Sequence, residues 1–198
     1  MGKVCTLEQA VSNYVKSGDT ICFGGFTTNR KPYAAVYEIM RQGQTDFTIW
    51  AGPAGGDWDM MIGEGRVKAY INCYTANSGY TNVSRRFRAA IEAGKLTYED
   101  YSQDVLMLQL HAASLGLPFL PVRLMGGSGL TEFWGISNEK RAAMDSVDND
   151  KFVMVDNPFN PGEKVVAVPV PKLDCAVIHV QKASTDGTCI IEGDEFHD

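Results

Sequence analysis

The residues with chemical potential in this chain are glycines that follow apolar runs. Gly24-Gly25, Gly52 with Gly55-Gly56, and Gly126-Gly127-Ser128-Gly129 each occupy such a place. Glycine lets backbone approach a ligand closely, and it also serves plain tight turns; both uses fit here. Signatures of a resident nucleophile are missing. The chain has no G-x-x-x-x-G-K-[ST] phosphate loop and no G-x-S-x-G elbow. Gly127-Ser128-Gly129 begins a dinucleotide fingerprint, but Glu132 stands where its third glycine belongs. The cysteines Cys5, Cys22, Cys73, Cys175 and Cys189 form no C-x-x-C pair and read as buried, reduced thiols, three of them (Cys22, Cys175, Cys189) within apolar strand-like runs. His111, His179 and His197 lack metal-ligand spacing. Glu64, between Gly63 and Gly65, reads as a turn residue. A glycine-lined edge without its own nucleophile implies a composite site, completed from outside the chain.

The elements that must position these glycines alternate. Thr6-Leu7-Glu8-Gln9 is a capping box opening a helix whose inward face is Leu7, Ala10, Val11, Tyr14 and Val15, with Gly18 as its stop. A strand spans Thr20–Phe23 and ends in Gly24-Gly25. A helix runs from Pro32 to a stop at Gly43, and a strand spans Phe47–Ala51. A third strand spans Val67–Asn72, and Asn82 caps a helix reaching Gly94. Ser102 caps the next helix, with Val105, Leu108, Ala112 and Leu115 inward and Gly116 as its end. Pro118 and Pro121 keep the following segment extended. Residues 131–150 are polar and mixed, as in a flap or a partner surface. Three β-rich runs, 152–155, 165–170 and 175–180, close the chain. This order predicts an α/β fold: an open, mainly parallel sheet with helices on both faces and a β-rich C-terminal part. Ligands bind beyond the carboxyl ends of such strands, so loops 24–31, 52–58, 73–81 and 126–131 are expected on one edge.

The 198 residues suit a single domain, 1–198, and 44% of them are hydrophobic, enough for a core. A formal net charge of −6 argues against nucleic acid or an anionic membrane as the main partner. No apolar run approaches the ~18 residues of a membrane span, and no secretory signal precedes the first helix, so a cytoplasmic location is expected.

The run Gly18-Asp19-Thr20-Ile21-Cys22-Phe23-Gly24-Gly25-Phe26, with Pro32 six residues on, resembles the glycine motif of family I CoA-transferases. Gly65-Arg66-Val67, Leu173-Asp174-Cys175-Ala176-Val177-Ile178 and Ala183-Ser184-Thr185-Asp186-Gly187-Thr188 follow in the family's order. Gly25-Phe26-Thr27-Thr28 with Arg30-Lys31-Pro32, Gly55-Gly56-Asp57-Trp58-Asp59-Met60, and the run from Tyr70 through Asn77-Ser78-Gly79 are most similar to the A-type subunits that serve glutaconate. Arg30 stands where many relatives have glycine. These A-type chains continue past Asp198, so the sequence reads as a truncated piece of the family's length.

This resemblance implies an A-type subunit of a heteromeric CoA-transferase, moving CoA between acetyl-CoA and a short dicarboxylate such as glutaconate. The coenzyme A thioester is then a substrate, and no cofactor is bound permanently. The nucleophile is a glutamate of a B-type partner, and no residue of this chain is catalytic. Substrate binding falls to Gly24, Gly25, Phe26, Thr27, Thr28, Arg30, Lys31, Asn77, Ser78, Gly127 and Ser128. Arg30 can grip a distal carboxylate as a fork and Lys31 as a point charge, although both equally suit a solvated helix start. Arg85, Arg86 and Arg88 fit a solvated helix face better than a CoA phosphate site. Trp50, Trp58 and Trp134 read as core or interface aromatics. A related acyl-CoA hydrolase or ring-opening subunit, with water as acceptor, is the alternative; a non-catalytic binding domain is a third reading.

Overall fold

The computed structural model describes residues 3–192; Met1, Gly2 and residues 193–198, His197 among them, lie outside the described part. In chain order it contains α1 (Leu7–Tyr14), β1 (Thr20–Phe23), α2 (Tyr33–Gln42), β2 (Phe47–Ala51), α3 (Gly56–Gly63), β3 (Val67–Asn72), α4 (Arg85–Glu92), β4 (Thr97–Asp100) and α5 (Gln103–Ser114). There follow β5 (Phe119–Val122), α6 (Gly129–Glu132), α7 (Asn138–Ala142), β6 (Val153–Asp156), β7 (Lys164–Pro169), β8 (Cys175–Val177), β9 (Lys182–Ala183) and β10 (Cys189–Ile190).

The main sheet has the order β4-β3-β2-β1-β8, with every pairing parallel. A helix returns the chain between successive strands from β1 to β4, and parallel pairing requires such crossovers. Side chains alternate across the sheet. Ile21, Phe23, Phe47, Ile49, Ala51 and Tyr70 face one core, which Val11, Val36, Ile39, Trp58 and Met61 complete from α1, α2 and α3. Trp50, Ala69 and Ile71 face the other, where Val105 and Leu106 of α5 meet Val122, Val166 and Val168. Those valines belong to a three-stranded antiparallel sheet of order β5-β7-β6. The open, mainly parallel α/β fold with a β-rich C-terminal part is therefore present. One refinement concerns its second face, which a helix and a small sheet share.

Several expectations are corrected. The Thr6 capping box forms with Gln9, but α1 buries Val11 and Val15 and leaves Leu7 and Tyr14 exposed. On α5 the buried residues are Val105, Leu106, Gln109 and Ala112, whereas Leu108 and Leu115 face solvent. Gln109 tolerates burial because its Nε2 donates to the Pro169 carbonyl at 2.8 Å. The fourth helix begins after Ser84, not Asn82. Cys189 is exposed, while Cys22, Cys73 and Cys175 are half-buried; all are free thiols. Segment 131–150 is no loose flap. Ile136 and Arg141 within it are buried, and Ser146 Oγ lies 2.6 Å from Thr48 Oγ1 of β2. Among the described residues, no helix is long and apolar enough to cross a membrane.

Candidate functional site

All five strands of the main sheet point the same way, so the segments after β1, β2, β3 and β8 leave from one edge. Three of the expected loops knit together there. The Thr27 amide donates to the Pro53 carbonyl at 2.8 Å. Ala54 N donates to Tyr74 O at 2.8 Å, and Ala76 N to Ala54 O at 3.0 Å, so an Ala54–Thr75 bridge extends the β2–β3 pairing into the loops. Below, the Tyr70 phenol and Asn72 Nδ2 both reach Thr75 Oγ1. The first turn of α4 is held by Asp59, whose Oδ1 accepts from the Phe87 amide at 2.8 Å.

A buried ion pair locks the first two loops. Lys31 Nζ donates to the Gly25 carbonyl at 2.6 Å and lies 3.4 Å from Asp57 Oδ2. The two side chains are 1% and 0% exposed. Asp57 Oδ1 also accepts from the Gly55 amide at 3.0 Å, which places the carboxylate at the N-terminus of α3, where the helix dipole favours negative charge. Burial holds the Lys31 ammonium below its ordinary pKa, with Asp57 opposing the shift. Burial also pushes the nearby Cys22 thiol up to about 11 and the Cys73 thiol up to about 12. Both remain protonated at neutral pH, so neither is a thiolate nucleophile.

The glycines explain how closely the loops approach. Gly25 has a left-handed backbone (φ 92°), and a Cβ there would meet Asn29 O at 2.5 Å. At Gly55 a Cβ would press on the Thr27 carbonyl, 2.9 Å from its carbon, and lie 3.1 Å from Asn77 Oδ1. Gly55→Ala is expected to cost about 1–3 kcal/mol, because backbone must shift to admit the methyl. Gly63→Ala is the control. Its main obstacle is the flexible Arg86 side chain, and a change within about 0.5 kcal/mol is expected from a surface site that can adjust. Urea denaturation of both variants checks the contrast.

Beside these loops a cleft of about 340 Å³ opens at the strand ends. Gly24 and Gly25 line it from the first loop, Gly52 and Pro53 from the second, and Cys22 and Phe23 form its inner end. Met107, Leu110 and His111 of α5 close one side, with Ile178 beyond β8. Nothing in the sequence-based expectation gives α5 a role here. The helical spacing of Met107, Leu110 and His111 carries that signal, but Leu108 and Leu115, the more apolar pair, point to a different face.

The expected site residues divide by position. Gly24 and Gly25 line the cleft. Phe26, Thr28 and Arg30 are half-buried in the same loop, and Thr27 is 2% exposed. Lys31 points inward, which is a departure from its expected role as an open point charge. Asn77 is half-buried with Oδ1 facing Gly55 and Gly56, and Ser78 is exposed. Gly127 and Ser128 are not joined to this cluster. They follow β5, an edge strand of the other sheet, because Pro121 suits an edge and not a central parallel strand. Ser128 Oγ donates to the Met125 carbonyl at 2.6 Å. Glu64 caps α3 at the opposite edge of the main sheet and is exposed. Arg85, Arg86 and Arg88 lie on α4, where Arg88 is exposed and paired to Glu92 at 2.7 Å. Trp50 and Trp58 are core residues, and Trp134 packs against Phe152.

A parallel sheet whose glycine-rich strand ends flank a small cleft is an open α/β ligand-binding architecture. The chain belongs to the Coenzyme A transferase family, whose model matches residues 4–197. It is 69% identical over 198 residues to the A-type subunit of glutaconate CoA-transferase from Acidaminococcus fermentans, covering 100% of this chain and 62% of that one. It is 31% identical over 196 residues to the A-type subunit of 3-oxoadipate CoA-transferase from Pseudomonas knackmussii, covering 98% and 63%. The crystal structure of glutaconate coenzyme A-transferase from Acidaminococcus fermentans superposes with a TM-score of 0.96 at 69% identity, over 98% of this chain and 62% of that chain. The chain thus spans about three fifths of the length of these relatives.

Proposed function

We propose that this chain is the A-type part of a heteromeric CoA-transferase that moves CoA between acetyl-CoA and a short dicarboxylate such as glutaconate. One observation carries the reading. Two glycine-rich strand ends, those of β1 and β2, flank an apolar cleft whose only titratable lining groups, among the described residues, are His111 and the neutral Cys22 thiol. Such a cleft can hold an acyl group, and its described lining brings no carboxylate or thiolate to attack it. The likeness to a chain named as the A-type component of a glutaconate CoA-transferase supports the choice of substrate.

On this reading a B-type partner supplies a glutamate. Its carboxylate oxygen attacks the thioester carbonyl, the C–S bond breaks, and CoA leaves as thiolate from a mixed anhydride. The thiolate then attacks the glutamyl carbonyl of that anhydride, releasing the first acid and leaving a glutamyl-CoA thioester. A second carboxylate reverses both steps and departs as the new acyl-CoA. A carboxylate is already ionised at neutral pH, so no base is required of this chain. Its contribution is a water-poor wall and neutral donors near the developing oxyanion, one of which can stabilise a transition state by roughly 3 kcal/mol. Gly24, Gly25, Thr28, Asn77 and Ser78 are the residues proposed to approach the substrate, with Lys31 and Asp57 locking the first two loops together.

The test combines this chain, at full family length, with its cognate B-type partner. CoA exchange between acetyl-CoA and glutaconate is the expected result. Absence of exchange with any dicarboxylate rejects the proposal.

A further inference from the structure

The cleft poses an electrostatic problem for a dicarboxylate. One carboxyl carries the thioester chemistry, and the other keeps its charge throughout. Moving that charge against Phe23, Pro53, Met107, Leu110 and Ile178 is costly unless a cation or several donors receive it. Lys31 does not meet the need, since its ammonium is buried on the Gly25 carbonyl and Asp57. Cys22, the other titratable lining group, is a protonated thiol and a weak donor.

Among the described lining residues His111 alone brings a side chain with nitrogen donors. It occupies the last turn of α5. It is exposed, so its ring can meet an entering ligand. The glycines line the same cleft from the strand ends, so imidazole and strand-end backbone can address two ends of one short molecule.

We propose that His111 is the residue that receives the distal carboxylate and so sets the preference for dicarboxylic over monocarboxylic acyl groups. This deepens the transferase reading and rests on it. His111 acts on specificity and takes no part in breaking the thioester.

The experiment uses the assembled enzyme with acetate and glutaconate as competing CoA acceptors. His111→Leu is expected to raise KM for glutaconate by about 10- to 100-fold, the worth of one charge-assisted hydrogen bond. Transfer to acetate should change by less than about threefold, because acetate has no second charge to place. His111→Arg should recover most of the glutaconate preference by supplying a side-chain donor for the carboxylate at the same place. A His111→Leu enzyme that keeps its preference, or that loses acetate and glutaconate activity in parallel, overturns the inference and leaves the transferase reading standing. A wild-type enzyme that transfers CoA to acetate but to no dicarboxylate overturns both.

Discussion

Asp57→Ala is expected to lower the stability of the fold by about 3–5 kcal/mol, the range found when one partner of a buried ion pair is removed. The Lys31 and Asp57 side chains are 1% and 0% exposed. Without Asp57 the ammonium keeps the Gly25 carbonyl and no counter-charge, while the Gly55 amide loses its acceptor. Asp57→Asn should cost less, because an amide oxygen can still accept from Gly55. Lys31→Met with Asp57→Leu should recover much of the loss, since a buried pair contributes little beyond an apolar pair of similar size. The pH dependence gives a second check. Burial lowers the Lys31 pKa from its ordinary 10.5 in the folded protein. Between the folded value and 10.5 the unfolded chain binds more protons, so stability rises with pH through that window. Removing Asp57 lowers the folded value further and widens the window downward. The deficit of Asp57→Ala should therefore shrink as pH rises from about 7 to about 10 in urea titrations. A deficit below about 1 kcal/mol at neutral pH contradicts this account.

What the sequence disclosed follows from which forces are local. β1, β2 and β3 are readable to the residue, because each is a short apolar run closed by glycine or a polar turn. The Thr6 and Ser102 caps are equally plain, as a cap needs only its own next three residues. Helix α3 is hidden because it opens on Gly55-Gly56 without a side-chain cap, and its buried Trp58, Met61 and Ile62 look like loop aromatics and a strand approach. β4 is hidden because Thr97-Tyr98-Glu99-Asp100 is a polar edge strand, whose burial comes from what packs on it later in the chain. The same reason hides the site. That glycine-rich strand ends would meet at one edge is legible from strand order. That Lys31 would turn inward is not, because its partner Asp57 is supplied by a different loop. No spacing rule links those two positions; only the folded sheet brings them together.

The largest expected effect away from the cleft concerns the segment whose polarity suggests a flap. Arg141→Ala should cost about 3–5 kcal/mol, because it strands Glu99 of β4 without a counter-charge. The Glu99 and Arg141 side chains are each 2% exposed, with Arg141 Nη2 hydrogen-bonded to Glu99 Oε1. The guanidinium also donates through Nε to Ile136 O at 3.2 Å and through Nη1 to Asp148 O at 2.9 Å, and it sits 5.4 Å from the Trp134 ring centroid. The other Glu99 oxygen accepts from the Ile136 amide at 3.3 Å. One planar cation thus binds the edge strand and two turns of the covering segment at once, and the variant should lose amide protection selectively over residues 135–148. Arg141→Lys should not rescue it, because an ammonium cannot reproduce three donors in a fixed plane. Arg141→Met with Glu99→Leu should restore most of the stability, since neither charge is then left buried. Hydrogen exchange and urea denaturation of the three variants distinguish a clamp from a passive cover. If the segment were passive, Arg141→Ala would unfold at the wild-type midpoint and exchange would be unchanged over 135–148.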